Sequence, residues 1–158
     1  MSPPDDPCAP KPVVPGGSAE VGLGSDFTPI MDGEDTDVVL GGQGLWMFVA
    51  NARTCDLNVG DGDHEGVVVF SVLDETGQAV SIDEVCRVRA FAERAGGGCP
   101  GGANYRYLSS IYQTPLLPDF SPRLEGARVT IQLEVRDLDG RRATSAHTVV
   151  AHFPPSGP

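Results

Sequence analysis

The stretch Gly41–Cys55, GGQGLWMFVANARTC, decides the fold. Leu45, Met47 and Val49 alternate with Trp46, Phe48 and Ala50, so an extended segment would be apolar on both faces. Three glycines open the run, and Asn51, Arg53 and Thr54 close it. That pattern predicts a central strand covered on both sides. The run also carries the only tryptophan, and an indole of that size is expected at the heart of the core.

The rest of the chain agrees with a β-rich fold. Its 158 residues suit one domain with tails, and 40% of them are hydrophobic, enough for one core. Twenty glycines and fourteen prolines are more than a helical protein tolerates and fit a chain with many turns. No apolar run approaches the roughly twenty residues of a membrane span. A formal charge of −11 without a basic stripe excludes nucleic acid as a partner, because a phosphate backbone would be repelled.

Outward from the central run, residues 1–17 hold six prolines and no apolar period, so they read as an extended, mobile leader or spacer. Ser18–Ser25 begins the fold as a short edge strand. Asp32-Gly33 turns, and Asp37–Leu40 returns as a short strand into the central one. Val67–Leu73 is a second strand apolar on both faces, Asp74–Gly77 a tight turn, and Gln78–Ile82 a short strand. Val85–Glu93 alternates, with Cys86, Val88, Ala90 and Ala92 expected on the core face; a helix over Asp83–Ala95 stays open as the alternative. Gly96–Gly102 is a loop, and Tyr105–Gln113 resumes as strand. Ala127–Asp137 points Val129, Ile131, Leu133 and Val135 inward, turns at Asp137–Gly140, and pairs with Arg141–Phe153 as a hairpin. The expected architecture is an all-β, antiparallel, immunoglobulin-like β-sandwich of eight or nine strands over residues 18–153, with a disordered tail at 154–158. Its penultimate strand carries no cysteine, so the inter-sheet bridge of antibody domains cannot form there.

Cysteines stand at 8, 55, 86 and 99, with no C-x-x-C pair. An even count in a turn-rich β chain favours disulfides and an oxidising compartment. If successive strands simply alternate in direction, Cys55 and Cys86 arrive at one end of the sandwich. Cys86 and Cys99 would then be separated by about 20 Å of extended strand. The expected bridge is Cys55–Cys86, leaving Cys8 and Cys99 to pair or stay free. MSPPDDPC lacks the basic start and apolar stretch of a secretory leader, so Met1 is expected not to be the natural start of the exported chain.

Chemistry is sparse. DGDHEG at Asp61–Gly66 has the early spacing of a calcium loop, but the twelfth position is Val72 where a bidentate glutamate is needed, so a solvated acidic turn is the plainer reading. Asp137 and Asp139 in DLDG are turn formers first. His147 and His152 point to opposite faces of one strand and cannot share a metal, and His64 is alone in its loop. No G-x-S-x-G elbow occurs, and the glycine loop lacks the lysine of a P-loop. The enzymatic alternative is an enzyme using Cys99 as a reactive thiol or an acidic cleft. Neither metal nor cofactor is called for. Tyr105, Tyr107 and Tyr112 form the candidate partner-binding set, a surface for protein or glycan, against the blander reading of strand packing on the glycine loop.

The segment FTPIMDGEDTDVVLGGQGLWMFVANART resembles a recurrent pattern in uncharacterised secreted bacterial proteins, many of them lipoproteins. It is carried here by Asp32-Gly33, Gly42-Gln43-Gly44 and Arg53, and again by Val135, Asp137, Asp139, Gly140 and Arg141. The resemblance implies an exported immunoglobulin-like domain, often tethered by a lipidated cysteine behind a Pro-rich spacer, and it implies no activity. Cys8 follows Asp5, Asp6 and Pro7, so it is not such a cysteine, and a lipid anchor would lie upstream. The resulting expectation is a non-enzymatic, extracytoplasmic module of the cell envelope. The alternatives are a calcium-stabilised adhesion-type domain and a subunit of an extracellular assembly.

Overall fold

The computed structural model describes residues 14–15, 17–41, 44–59, 65–81, 87–109, 112–118 and 121–154. In chain order the strands are β1 (Val14–Pro15), β2 (Ser18–Leu23), β3 (Thr28–Pro29), β4 (Glu34–Asp37), β5 (Val39–Leu40) and β6 (Trp46–Cys55). They continue as β7 (Glu65–Leu73), β8 (Arg87–Gly98), β9 (Asn104–Leu108), β10 (Tyr112–Pro115), β11 (Arg128–Arg136) and β12 (Arg141–His152). Two 3₁₀ turns, Pro100–Gly102 and Ser121–Leu124, are the only helical elements among the described residues. Nine of the strands have four or more residues, and the other three are two-residue pieces stitched to longer neighbours.

The chain is an all-β sandwich. One layer is β12-β11-β7 and the other β2-β6-β9, with β8 shared between them: it pairs with β7 through Arg87–Ala90 and with β9 from Phe91 to Gly98. Neighbours are antiparallel except β1 and β4, which lie parallel to β12 along its free edge. This is the strand order of an immunoglobulin-like sandwich, with β10 and β5 continuing the flanks of β6 beyond β9 and β2. The sheet curls until β2 meets β12, where the Val21 amide donates to Ser145 Oγ at 3.1 Å.

Residues from both layers make one core. Phe48, Phe70, Phe91, Leu108, Ile131 and Leu133 are its largest fully buried members. Each contributes about 1.5–3 kcal/mol by leaving water. The β11–β12 hairpin forms as its alternation predicts: Val129, Ile131, Leu133 and Val135 are buried, and Val135 faces Ala143 across the register. Trp46 does not sit at the centre. It is half-buried at the start of β6, edge-on to Phe153 with ring centroids 5.3 Å apart, because the middle of the strand is filled by Phe48 and by Ala50 and Ala52.

Other expectations are corrected. Of Asp37–Leu40, expected as a short strand into β6, Val39–Leu40 does pair with β6 as β5, but Asp37 ends β4 on β12 and the buried Val38 crosses between layers. Residues 78–81 fold back on the end of β7 through the single bridge Ala79–Leu73, and Ser81 bridges Leu116 just beyond β10, instead of forming a strand that traverses the sheet. In β8, Phe91 is buried and Ala92 exposed, the reverse of the expected face, since one phenyl ring outweighs several small side chains. β8 also runs on through Gly96–Gly98, where a loop is expected, with an irregularity after Glu93 before Gly98 pairs with Asn104, and Tyr105–Gln113 is broken into β9 and β10. Of the expected leader, Val14–Pro15 pairs with β12 and Gly17 is described. Residues 1–13 and 16, the tail from 155 onward, and Asp61–His64 of the acidic loop lie outside the described residues.

Candidate functional site

The outer face of β2-β6-β9-β8 carries the most unusual side-chain cluster. On β6 the inward positions are Phe48, Ala50 and Ala52, which leaves Asn51 and Arg53 on the other side. The turn after β2 folds over them. Asn51 Nδ2 donates to Gly24 O at 2.8 Å, and Gly24 N donates to Val49 O at 3.0 Å. This carries Phe27 onto the face with φ of 55°, a left-handed backbone that costs a phenylalanine about 1 kcal/mol. The ring is seated on Gly22, where a Cβ would lie 2.6 Å from it.

Arg53 holds the cluster together. Its guanidinium carbon lies 4.1 Å from the Tyr105 ring centroid and 4.5 Å from that of Phe27. Glu20, directly opposite in the β2–β6 register, accepts from Arg53 Nε at 2.9 Å and from Nη2 at 2.7 Å. Burial alone would lower the Arg53 pKa. The contact to Tyr107 Oη and the hydrogen bond and charge of Glu20 outweigh it, so the guanidinium is held above its ordinary value. The charge is therefore fixed, and its contact with the rings is an electrostatic attraction to their faces.

Tyr105 and Tyr107 are brought together, with ring centroids 5.9 Å apart, and Tyr107 meets Phe27 edge-on at 5.6 Å. Both are half-buried, and β9 is an inner strand between β8 and β6. Tyr105 rests on Gly98, whose missing side chain makes the space for it. The backbone of Tyr112 lies on β10 opposite Ala50, three residues along β6 from the Tyr107 partner Arg53, and its side chain is outside what the structure describes. The exposed Arg94 adds a second guanidinium, 4.4 Å from the Tyr107 centroid, with no carboxylate paired to it among the described residues. Sequence reading does not place Phe27, Arg53 or Arg94 beside the tyrosines, since 54 residues separate Arg53 from Tyr107. The only local signal is a pair of glycines at strand positions that face large rings.

A disulfide closes one end of this face. Cys55 bonds to Cys99, with Cα atoms 5.7 Å apart, in place of the expected Cys55–Cys86 pair. The reason is direction. β6 is antiparallel to β9, and β9 to β8, so β6 and β8 run the same way and finish side by side. Treating residues 78–82 as a full strand counts one reversal too many and puts Cys86 there instead. Cys99 is buried and bonded, so the reactive-thiol alternative has no thiol. Cys8 and Cys86 lie outside the described residues.

The carboxylates that the sequence singles out act as staples. Asp137 is completely buried and accepts from four donors: the amides of Asn58, Asp139 and Arg141, and Arg141 Nε at 2.9 Å. Asp32 accepts from the Thr148 amide and from His147 Nδ1, each at 3.0 Å. His152 stands between Asp35 and Glu125. Among the described residues no helix is long and apolar enough to cross a membrane, and no group of three or more ligating side chains is placed to hold a metal ion. No protein-family model, no curated protein and no solved structure matches this chain.

Proposed function

We propose that this chain is an exported, non-enzymatic β-sandwich module of the cell envelope that binds a protein or glycan through the outer face of β9 and β8. The observation that carries the reading is Arg94: an exposed guanidinium laid on Tyr107, with no carboxylate partner among the described residues, beside Tyr105. Tyrosine and arginine are the residue types that dominate binding energy at interfaces. Here the rings are held in place by Arg53, Gly98 and Phe27, so little side-chain entropy remains to be lost on contact. The Cys55–Cys99 bridge supports an oxidising compartment. The likeness to secreted lipoprotein-type domains supports a lipid tether upstream of this stretch.

The test is saturable binding of the fluorescently labelled domain to envelope preparations from the cells that produce it. Arg94→Ala is expected to keep its melting temperature and to lose roughly tenfold in affinity, the size of an ordinary hot-spot truncation. Equal binding by the two proteins, or no saturable binding by the wild type, would refute the assignment of this face.

A further inference from the structure

The free edge of β12 is closed by β4, and the closure is fastened at two points. At one, Asp32 Oδ1 accepts from His147 Nδ1 and from the Thr148 amide, and Gly33 N donates to Thr148 O at 2.7 Å. At the other, both nitrogens of one imidazole are engaged. His152 Nε2 lies 2.9 Å from Asp35 Oδ1 on β4, and Nδ1 lies 3.0 Å from Glu125 Oε2 on the turn before β11. A neutral imidazole has a single N–H, and an ionised carboxylate can only accept. Glu125 is an acceptor in this arrangement, since its other oxygen takes the Phe153 amide at 2.9 Å. Satisfying both contacts therefore requires the imidazolium.

We propose that β4 is a proton-operated clasp: with His152 doubly protonated the strand is fastened over the β12 edge, and loss of that proton loosens it. The surrounding charge favours the same state. Asp37 lies directly opposite His152 in the parallel register, Glu34 begins the same strand, and Asp32 precedes it. Of the two arginines on the adjoining β11, Arg128 is the nearer in register, opposite Val150, and Arg136 lies at the far end opposite Arg142. The hydrogen bond to Asp35 and then that to Glu125 raise the His152 pKa above 6.5. A raised value means that the stabilisation is complete below pH 6.5 and is lost as pH climbs through the folded-state value. On the acid side the clasp fails again, as pH falls through the lowered values of Glu125, held down by the Phe153 amide and His152, and of Asp32, held down by the Thr148 amide and His147.

Amide hydrogen exchange followed by NMR tests this on the intact chain. The reporter is Val38 N, which donates to His152 O at the end of β4; Val80 N, which donates to Val72 O, reports opening elsewhere. After correction for intrinsic exchange, Val38 protection is expected to fall roughly two- to fivefold as His152 loses its proton, the scale of an exposed ion pair, while Val80 stays level. His152→Gln should abolish that dependence and His147→Gln should leave it. Protection at Val38 that does not change across the His152 titration, or a His152→Gln protein that keeps the wild-type dependence, would overturn the proposal.

Discussion

Replacing Cys55 and Cys99 together by alanine removes the one cross-link between the ends of β6 and β8. The bridge spans a sequence separation of 44 residues. Loop-closure entropy for a ring of that size restricts the unfolded chain by about 4 kcal/mol at room temperature. For a domain of this length each kcal/mol moves the melting temperature by about 2–4 °C, so a fall of roughly 8–16 °C is expected. Urea denaturation of the double variant against the wild type measures the free energy, and peptide mapping under non-reducing conditions checks the connectivity. Trypsin alone does not suffice, because no lysine or arginine lies between Thr54 and Arg87 and a single peptide carries both Cys55 and Cys86. A second cut at acidic residues separates them. A loss below about 1 kcal/mol, or a linked peptide joining Cys55 to Cys86, would refute both the shared direction of β6 and β8 and the estimate built on it.

Asp137→Ala is expected to cost about 3 kcal/mol in urea unfolding, because it strips a completely buried carboxylate from Arg141 and from the Asn58 amide. Asp139→Ala, two residues on and exposed, should stay within about 0.5 kcal/mol, and equal losses would show that turn chemistry alone matters. Gly98→Ala places a methyl group inside the Tyr105 ring and forces φ of 108° on a residue with a side chain. A loss of about 1–3 kcal/mol with a shifted Tyr105 ring resonance is expected, and an unperturbed resonance would mean the ring is not seated there.

Where the sequence is legible, a single physical signal acts alone. The β11–β12 hairpin follows from strict alternation flanking DLDG, because a one-residue slip would expose Val129, Ile131, Leu133 and Val135 together. β6 is legible from a different single signal, an apolar run on both faces. β8 is not, because its two faces compete: the expected core face offered only small side chains at Ala90 and Ala92, while Phe91 alone settles which side is buried. The disulfide fails one step later, since it depends on strand directions summed over the intervening chain. One fold-back at residues 78–81 changes the outcome. The ring cluster was only half legible. Tyr105 and Tyr107 share a face by spacing, yet the contacts that fix them come from Phe27, Arg53 and Gly98, which only pairing brings near.

Asp32, Arg53 and Asp137, residues of the two sequence patterns, have a common physical role. Asp32 of the D-G pair reaches the Thr148 amide 116 residues away, and Asp137 of the V-x-D-x-D-G-R run reaches the Asn58 amide 79 residues away. Arg53, the terminal residue of the first pattern, joins Glu20 to Tyr105 and Phe27. Each fastens segments that the sheet ladder leaves unjoined: the turn before β4, the segment after β6, and the loop that covers Asn51. Strand pairing supplies the register inside a layer, but the connections between layers have few backbone partners of their own. A carboxylate accepting amide hydrogens is one way to satisfy them and to fix their path at once. In a chain with 22 acidic residues, Asp32 and Asp137 are thus distinguished by the distant amide each accepts from.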